Sequence, residues 1–236
     1  MFEVLKALFG SDGRTLLEEA WERFLSMLDA AADLLERGAP VVLAAEHDPE
    51  LRDLARSTDK ESNREEREIR KLLVEHLAFD PGHGIPCLVL MSVAKDAERM
   101  VDECRALLAL DTELDEPVPE AYRSEVRERV QAVLEVLRRV RTVIAERDRA
   151  GALAVVEEEK PFNAAVAAVQ KHILADAGID LRRGVLTYQA LAGIIRIRAH
   201  LGNIASAVVM PVHRIDFAKQ RYVDEARQDL EDSGAE

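Results

Sequence analysis

The stretch that most limits the fold is Ile85–Leu110, IPCLVLMSVAKDAERMVDECRALLAL. Its first ten positions are almost all apolar, and Pro86 suits the first turn of a helix. A helix apolar nearly all round is a buried one. Charge then enters at helical spacing, with Glu98 and Asp102 one turn apart on one face. Burying unpaired charge costs several kcal/mol, roughly, so these carboxylates need a partner.

On either side of this stretch the apolar residues recur in steps of three and four. Leu17, Trp21, Phe24, Leu28, Ala31 and Leu35 form one seam, expected to end at Gly38 and Pro40. Val41–Ala45 then reads as a separate short segment broken at Asp48-Pro49. A second helix is predicted from Glu50 to Phe79. Its stripe of Ile69, Leu73 and Leu77, extended backwards, lands on Glu66, Asn63 and Asp59, so polar residues occupy a core-facing line. Before the first seam, Phe2–Phe9 reads as a short amphipathic start.

Asp111–Pro119 is acidic, carries two prolines, and reads as a linker. From Glu120 the pattern restarts with Tyr122, Val126, Val130, Val133, Leu137, Val140 and Ile144, and Ala150-Gly151 bends or ends it. A fifth helix lines up Val156, Glu159, Asn163, Val166 and Ile173. A sixth, Val185–Met210, is apolar with Arg196, Arg198 and His200 interleaved and stops at Pro211. The tail after Asp216 is acidic and is expected to fray.

The order is the same twice: seam helix, helix with a polar start, strongly apolar helix. Asp59-Lys60 and Asn63 repeat as Glu159-Lys160 and Asn163, the clearest echo of a duplicated unit. Short connections favour antiparallel neighbours. The predicted fold is all-α: two tandem antiparallel three-helix bundles related by a pseudo-twofold repeat, spanning 1–113 and 114–217, with an acidic tail over 218–236.

Only 11 glycines and 8 prolines, with few aromatics, agree with an all-helical chain. A net charge of −13 argues against a sequence-independent nucleic-acid binder or a polybasic membrane-surface protein. The longest apolar run is too short to cross a bilayer. Cys87 and Cys104, with no CxxC and no secretory leader, fit a reducing cytoplasm as small core hydrophobes. There is no P-loop, GxGxxG, GxSxG or HExxH, and no histidine follows a glutamate at the three-residue spacing of a ferritin-like di-iron site. An enzyme is the weaker class.

The acidic residues admit two readings. Asp59 and Asn63 on one helix, facing Glu98 and Asp102 on the next, would form an oxygen-rich cage for a divalent or iron-type ion. Alternatively they are solvated, or paired with Arg64, Arg67 or Arg99. In the second half Glu159 and Asn163 remain, but Ile195 and Ala199 stand where the two acids would be, so no tight metal is expected there. His200 lies beside that place, where a lone histidine is ordinarily a satisfied core or surface residue.

Asp59-Lys60 through Asn63, and the apolar run ending Glu98-Arg99-Met100-Val101-Asp102, resemble the first repeat of PhoU proteins, which regulate phosphate uptake and signalling. In that family each repeat carries a Glu/Asp-x-x-x-Asp motif, often followed by Asn-Ile-Ala. Glu98 and Asp102 match the motif. The second repeat keeps Asn203-Ile204-Ala205, with His200 where the family often has histidine. The resemblance runs from Leu16 to about Phe217. It implies a cytoplasmic, non-enzymatic adaptor, often dimeric, acting on a phosphate transporter and its sensor histidine kinase. Because some members bind metal through the acidic motifs, it also implies Asp59, Glu98 and Asp102 as ligands, with Asn63 standing where an acid is frequent. A metal-binding or metal-storage protein is the rival class, and a scaffold for an unrelated partner the third.

Overall fold

The computed structural model describes residues 15–113, 116–217 and 219–233, and among them regular structure is helical throughout. The amphipathic start proposed for Phe2–Phe9 lies outside the described residues. Helix α1 is Leu16–Ala44, α2 is Pro49–Phe79 and α3 is Gly84–Leu108. After a 3-10 turn, Ala109–Thr112, the second half follows with α4 Glu120–Glu146, α5 Arg149–Glu157, α6 Glu159–Ala175 and α7 Leu181–Val209. A last helix, α8, covers Gln220–Ser233.

Local chemistry sets the helix starts. Thr15 accepts from the Glu18 amide while the Glu18 carboxylate accepts from the Thr15 amide, a reciprocal capping box opening α1. Asp48 accepts from the Leu51 amide ahead of Pro49, which needs no donor at the first position of α2. The apolar seams then face inward. Phe24, Leu28 and Ala31 of α1, Ile69 and Leu73 of α2, and Leu90, Val93, Ala97 and Val101 of α3 are buried together. Both thiols lie in this core, and burial holds Cys104 up to about 12, so it behaves as a small hydrophobe.

The halves meet through two helix pairs. Arg141 of α4 reaches Asp29 of α1 at 2.5 Å and Arg138 reaches Glu36 at 2.7 Å. Arg196 of α7 reaches Glu103 of α3 at 2.6 Å, while His200 meets Asp96. In both pairs residue numbers rise on one helix as they fall on the other. Each seam helix and each apolar helix therefore packs antiparallel against its own counterpart, the relation expected of two copies around a twofold axis.

Four local readings change. Helix α1 does not stop at Gly38 and Pro40 but runs to Ala44 with Pro40 inside it. Pro40 forgoes a hydrogen bond to the Glu36 carbonyl. Burial of Ala39, Val42 and Leu43 offsets that loss, since a Val or Leu side chain contributes about 1.5–3 kcal/mol. Gly38 is there for contact: a Cβ would sit 2.4 Å from Leu108 Cδ2. Gly38→Ala should therefore destabilise by about 1–2 kcal/mol in thermal unfolding. In an open helix the same change would add up to about 1 kcal/mol.

The acidic linker is pinned, since Val118 is buried and its amide donates to the Leu43 carbonyl at 3.2 Å. The counterpart of α2 is broken in two at Glu158, and the break predicted at Ala150-Gly151 falls at Arg147-Asp148, with Gly151 inside the first turn of α5. Residues 220–233 are helical rather than frayed, because Val223 and Ala226 form an apolar stripe buried against α5.

Candidate functional site

In the first half the polar line along α2 meets α3 in a cross-helix charge network. Glu66 and Ser62 are buried directly after the apolar Ile69, with Asn63 and Asp59 half-buried beyond them. From α3, Glu98 is buried and Asp102 half-buried. Lys95 Nζ lies 2.7 Å from Glu98 Oε2 and 3.6 Å from Glu66 Oε2, and Arg70 closes on Glu66 at 2.6 Å. Arg105 forms the next layer, 2.6 Å from Asp102 Oδ1 and 3.4 Å from Asp59 Oδ2. Its hydrogen bond to Asp102 raises its pKa above the ordinary guanidinium value. Asn63 Nδ2 donates to the Asp59 carbonyl at 2.9 Å and to its carboxylate at 3.3 Å.

Along the α2–α3 contact Arg105 thus joins Asp59 to Asp102, Lys95 joins Glu98 to Glu66, and Asn63 is bonded to Asp59. The pairing partners are Lys95 and Arg105 rather than Arg64, Arg67 or Arg99. Each sits three residues from an acid on its own helix, a spacing that pairs charges and that the sequence displayed.

The corresponding place in the second half is built around a cation. Arg198, from the middle of α7, is fully buried, and its guanidinium donates to the Val155 carbonyl. That carbonyl is in the last turn of α5, where the break at Glu158 leaves the helix end short of donors. Glu159 lies over Gly202, where a Cβ would come within 2.1 Å of its Oε2 and 3.6 Å of Arg198 Nη1. Burial raises the Glu159 pKa, while the Arg198 charge and a hydrogen bond from Asn163 pull it back. Burial lowers the pKa of Arg198, against the opposing charges of Glu159 and Glu158. The α7 residues that face Glu159 are therefore Arg198 and Gly202, while Ile195 and Ala199 are half-buried apolar positions.

A third cluster joins the halves. Asp96, buried in α3, accepts through Oδ1 from His200 Nδ1 at 2.8 Å and from Asn203 Nδ2 at 2.9 Å. His200 is thus a satisfied histidine, and the Asn of Asn203-Ile204-Ala205 holds a carboxylate of the other half. Asp216 borders this group with φ 69°, and burial followed by the nearby Asp96 charge raises its pKa. Asp96 carries no motif of its own, and its partners lie about a hundred residues away, so nothing local marks it.

Fold and clusters define a class: a duplicated helical bundle crossed by buried and half-buried charge networks, with no described helix long and apolar enough to cross a membrane. No family model matches the sequence, and no curated protein matches it. Among solved structures, the phosphate transport system regulatory protein PhoU from Streptococcus pneumoniae is similar at a TM-score of 0.74 and 16% identity, over 86% of this chain and 96% of that one. PhoU from Pseudomonas aeruginosa is similar at a TM-score of 0.73 and 22% identity, over 84% of this chain and 97% of its own. The chain has the PhoU fold, as the resemblance of Glu98–Asp102 and its surroundings implied.

Proposed function

We propose that the chain is a non-enzymatic regulator of phosphate transport, acting in the cytoplasm by docking helical surfaces onto a phosphate transporter or its sensor histidine kinase. The observation that carries this reading is the likeness to PhoU structures over most of both chains. The clusters lend support, because the carboxylates of Glu98, Asp102 and Asp96 pair with Lys95, Arg105, His200 and Asn203, ties that hold helices in place as a docking scaffold needs.

Exposed apolar side chains offer contact surface. Val74, Phe79, Ile85 and Leu88 surround the α2–α3 turn, and Leu174, Leu181 and Val185 the α6–α7 turn. Apolar side chains left in water near one another are a common mark of a protein-binding surface. An apolar groove of about 780 Å³ between the halves, lined by Trp21, Leu25, Pro86, Val89 and Val208 among others, adds to it. The rival of metal storage through Asp59, Asn63, Glu98 and Asp102 lacks a comparable observation, since Lys95 and Arg105 already pair with the carboxylates of Asp59, Glu98 and Asp102.

Deleting the gene should alter phosphate uptake and the phosphate-starvation response, and the tagged chain should co-purify with a phosphate transporter subunit or a sensor kinase. Unchanged uptake and signalling in the deletion strain would overturn the reading.

A further inference from the structure

The turn between α2 and α3 holds a group of side chains that regulation by docking leaves unused. Asp80 ends α2 and caps the 3-10 turn Pro81–His83, its Oδ1 accepting from the Gly82 amide at 3.0 Å. The other oxygen, Oδ2, lies 2.9 Å from His83 Nδ1. His76, buried in the last turn of α2, brings its Nε2 to 3.1 Å from the same Nδ1. One ligand atom from each of His76, Asp80 and His83 lies within 4.8 Å of the other two.

One nitrogen therefore faces a carboxylate, which offers only lone pairs, and a second imidazole nitrogen whose role depends on its tautomer. An imidazole Nδ1 carries either a proton or a lone pair. With a proton, it must share that proton between a carboxylate and a second imidazole. Without one, it faces the carboxylate with nothing between them. A single cation at the point of convergence would satisfy all three donors together. Ligand atoms about 2.0–2.1 Å from a tetrahedral zinc lie roughly 3.3 Å apart, so the two contacts at His83 Nδ1 need to open only by a few tenths of an ångström, and small side-chain rotations bring the third pair, within 4.8 Å, to the same spacing.

We propose that His76 Nε2, Asp80 Oδ2 and His83 Nδ1 bind one divalent transition-metal ion, with a fourth position open to water. Two imidazole nitrogens and a single carboxylate select zinc-type ions over magnesium or calcium, which take all-oxygen shells. The three ligands come from eight consecutive residues that join α2 to α3, so the ion would staple that helical hairpin at its tip. The site is separate from the α2–α3 charge network, and it stands whether or not the chain regulates phosphate transport.

The test is calorimetric titration of chelator-stripped full-length chain with zinc, then with magnesium, followed by visible spectra of the cobalt-loaded protein. Expected are one zinc per chain, no magnesium at the turn, a higher Tm with zinc, and cobalt bands of a nitrogen-ligated site. His83→Gln, at a half-buried position, should keep the far-ultraviolet circular dichroism of the parent and weaken zinc binding more than about 100-fold. Loss of a ligand should exceed the 10–100-fold typical of its supporting partners. His76→Ala should do the same. Glu98→Ala with Asp102→Ala should leave zinc binding unchanged. Absence of zinc binding by the parent, or binding that survives His83→Gln and vanishes in the Glu98/Asp102 double variant, would overturn the proposal.

Discussion

Arg198→Met is expected to cost about 3 kcal/mol of stability at pH 7, lowering Tm by roughly 6–12 °C for a chain of this size. Methionine fills much of the volume, so the loss is electrostatic rather than a cavity. Two interactions go together. The Val155 carbonyl at the end of α5 loses its donor, and a hydrogen bond from a charged group is worth about 1.5–3 kcal/mol. Glu159, already raised in pKa by burial, loses the cation that opposes the rise.

The pH dependence follows from linkage. A carboxyl with a raised folded pKa binds more protons folded than unfolded across the window between its two values. Stability therefore falls as pH rises from about 4.5 through the folded value. Without Arg198 the folded value climbs further and the penalty above it grows. The deficit of Arg198→Met should thus be largest near neutrality and shrink as pH drops towards 4.5. Adding Glu159→Gln should recover part of the loss, leaving the share that belongs to the Val155 cap. Urea unfolding of the two single variants and the double variant measures this. Equal stability of Arg198→Met and the parent at pH 7 would sink the argument.

The same residues show how far the sequence could be read. Seam helices α1 and α4 follow from apolar periodicity, because a stripe that long has only one way to be buried, and α3 and α7 follow from apolar runs that leave little polar face for water. Breaker residues misled where packing outweighed local preference. Pro40 lies within α1 and Gly38 fits against Leu108, neither of which a single chain position reveals. The α5–α6 break did have a signal in Pro161, whose missing N–H leaves the Glu157 carbonyl without its usual donor, an arrangement suited to the first turn of a new helix. The end of the chain hid α8 behind its acidic composition, although Val223, Ala226 and Leu230 keep helical spacing.

The candidate site was half legible. Asp59, Asn63 and Glu159 stood out because they interrupt a core line. What neutralises them depends on contacts between helices, and interhelix register is not written in one helix's periodicity. Arg198 reads as one more charge on an apolar helix until α5 is seen to end against it.

Asp96→Ala should cost about 3 kcal/mol, whereas breaking a neighbouring contact between the same two helices should cost little. Alanine removes the shared acceptor of His200 Nδ1 and Asn203 Nδ2, and each donor left in the seam costs roughly 1–3 kcal/mol. Asp96→Asn keeps a carbonyl acceptor of the same shape and should cost only about 1 kcal/mol. Arg196 and Glu103 bridge the same helices at 2.6 Å, shorter than the Asp96–His200 contact. The Arg196 side chain is 53% exposed, however, and such pairs contribute about 0–1 kcal/mol, so Glu103→Gln should be nearly silent. Urea unfolding gives the three values, and hydrogen exchange locates them. In Asp96→Ala, amides in the middle of α3 and α7 should exchange faster while those in α8 keep their rates. If Asp96→Ala matched Glu103→Gln, burial would not be what makes this contact hold the halves together, and the seam would rest on its apolar packing alone.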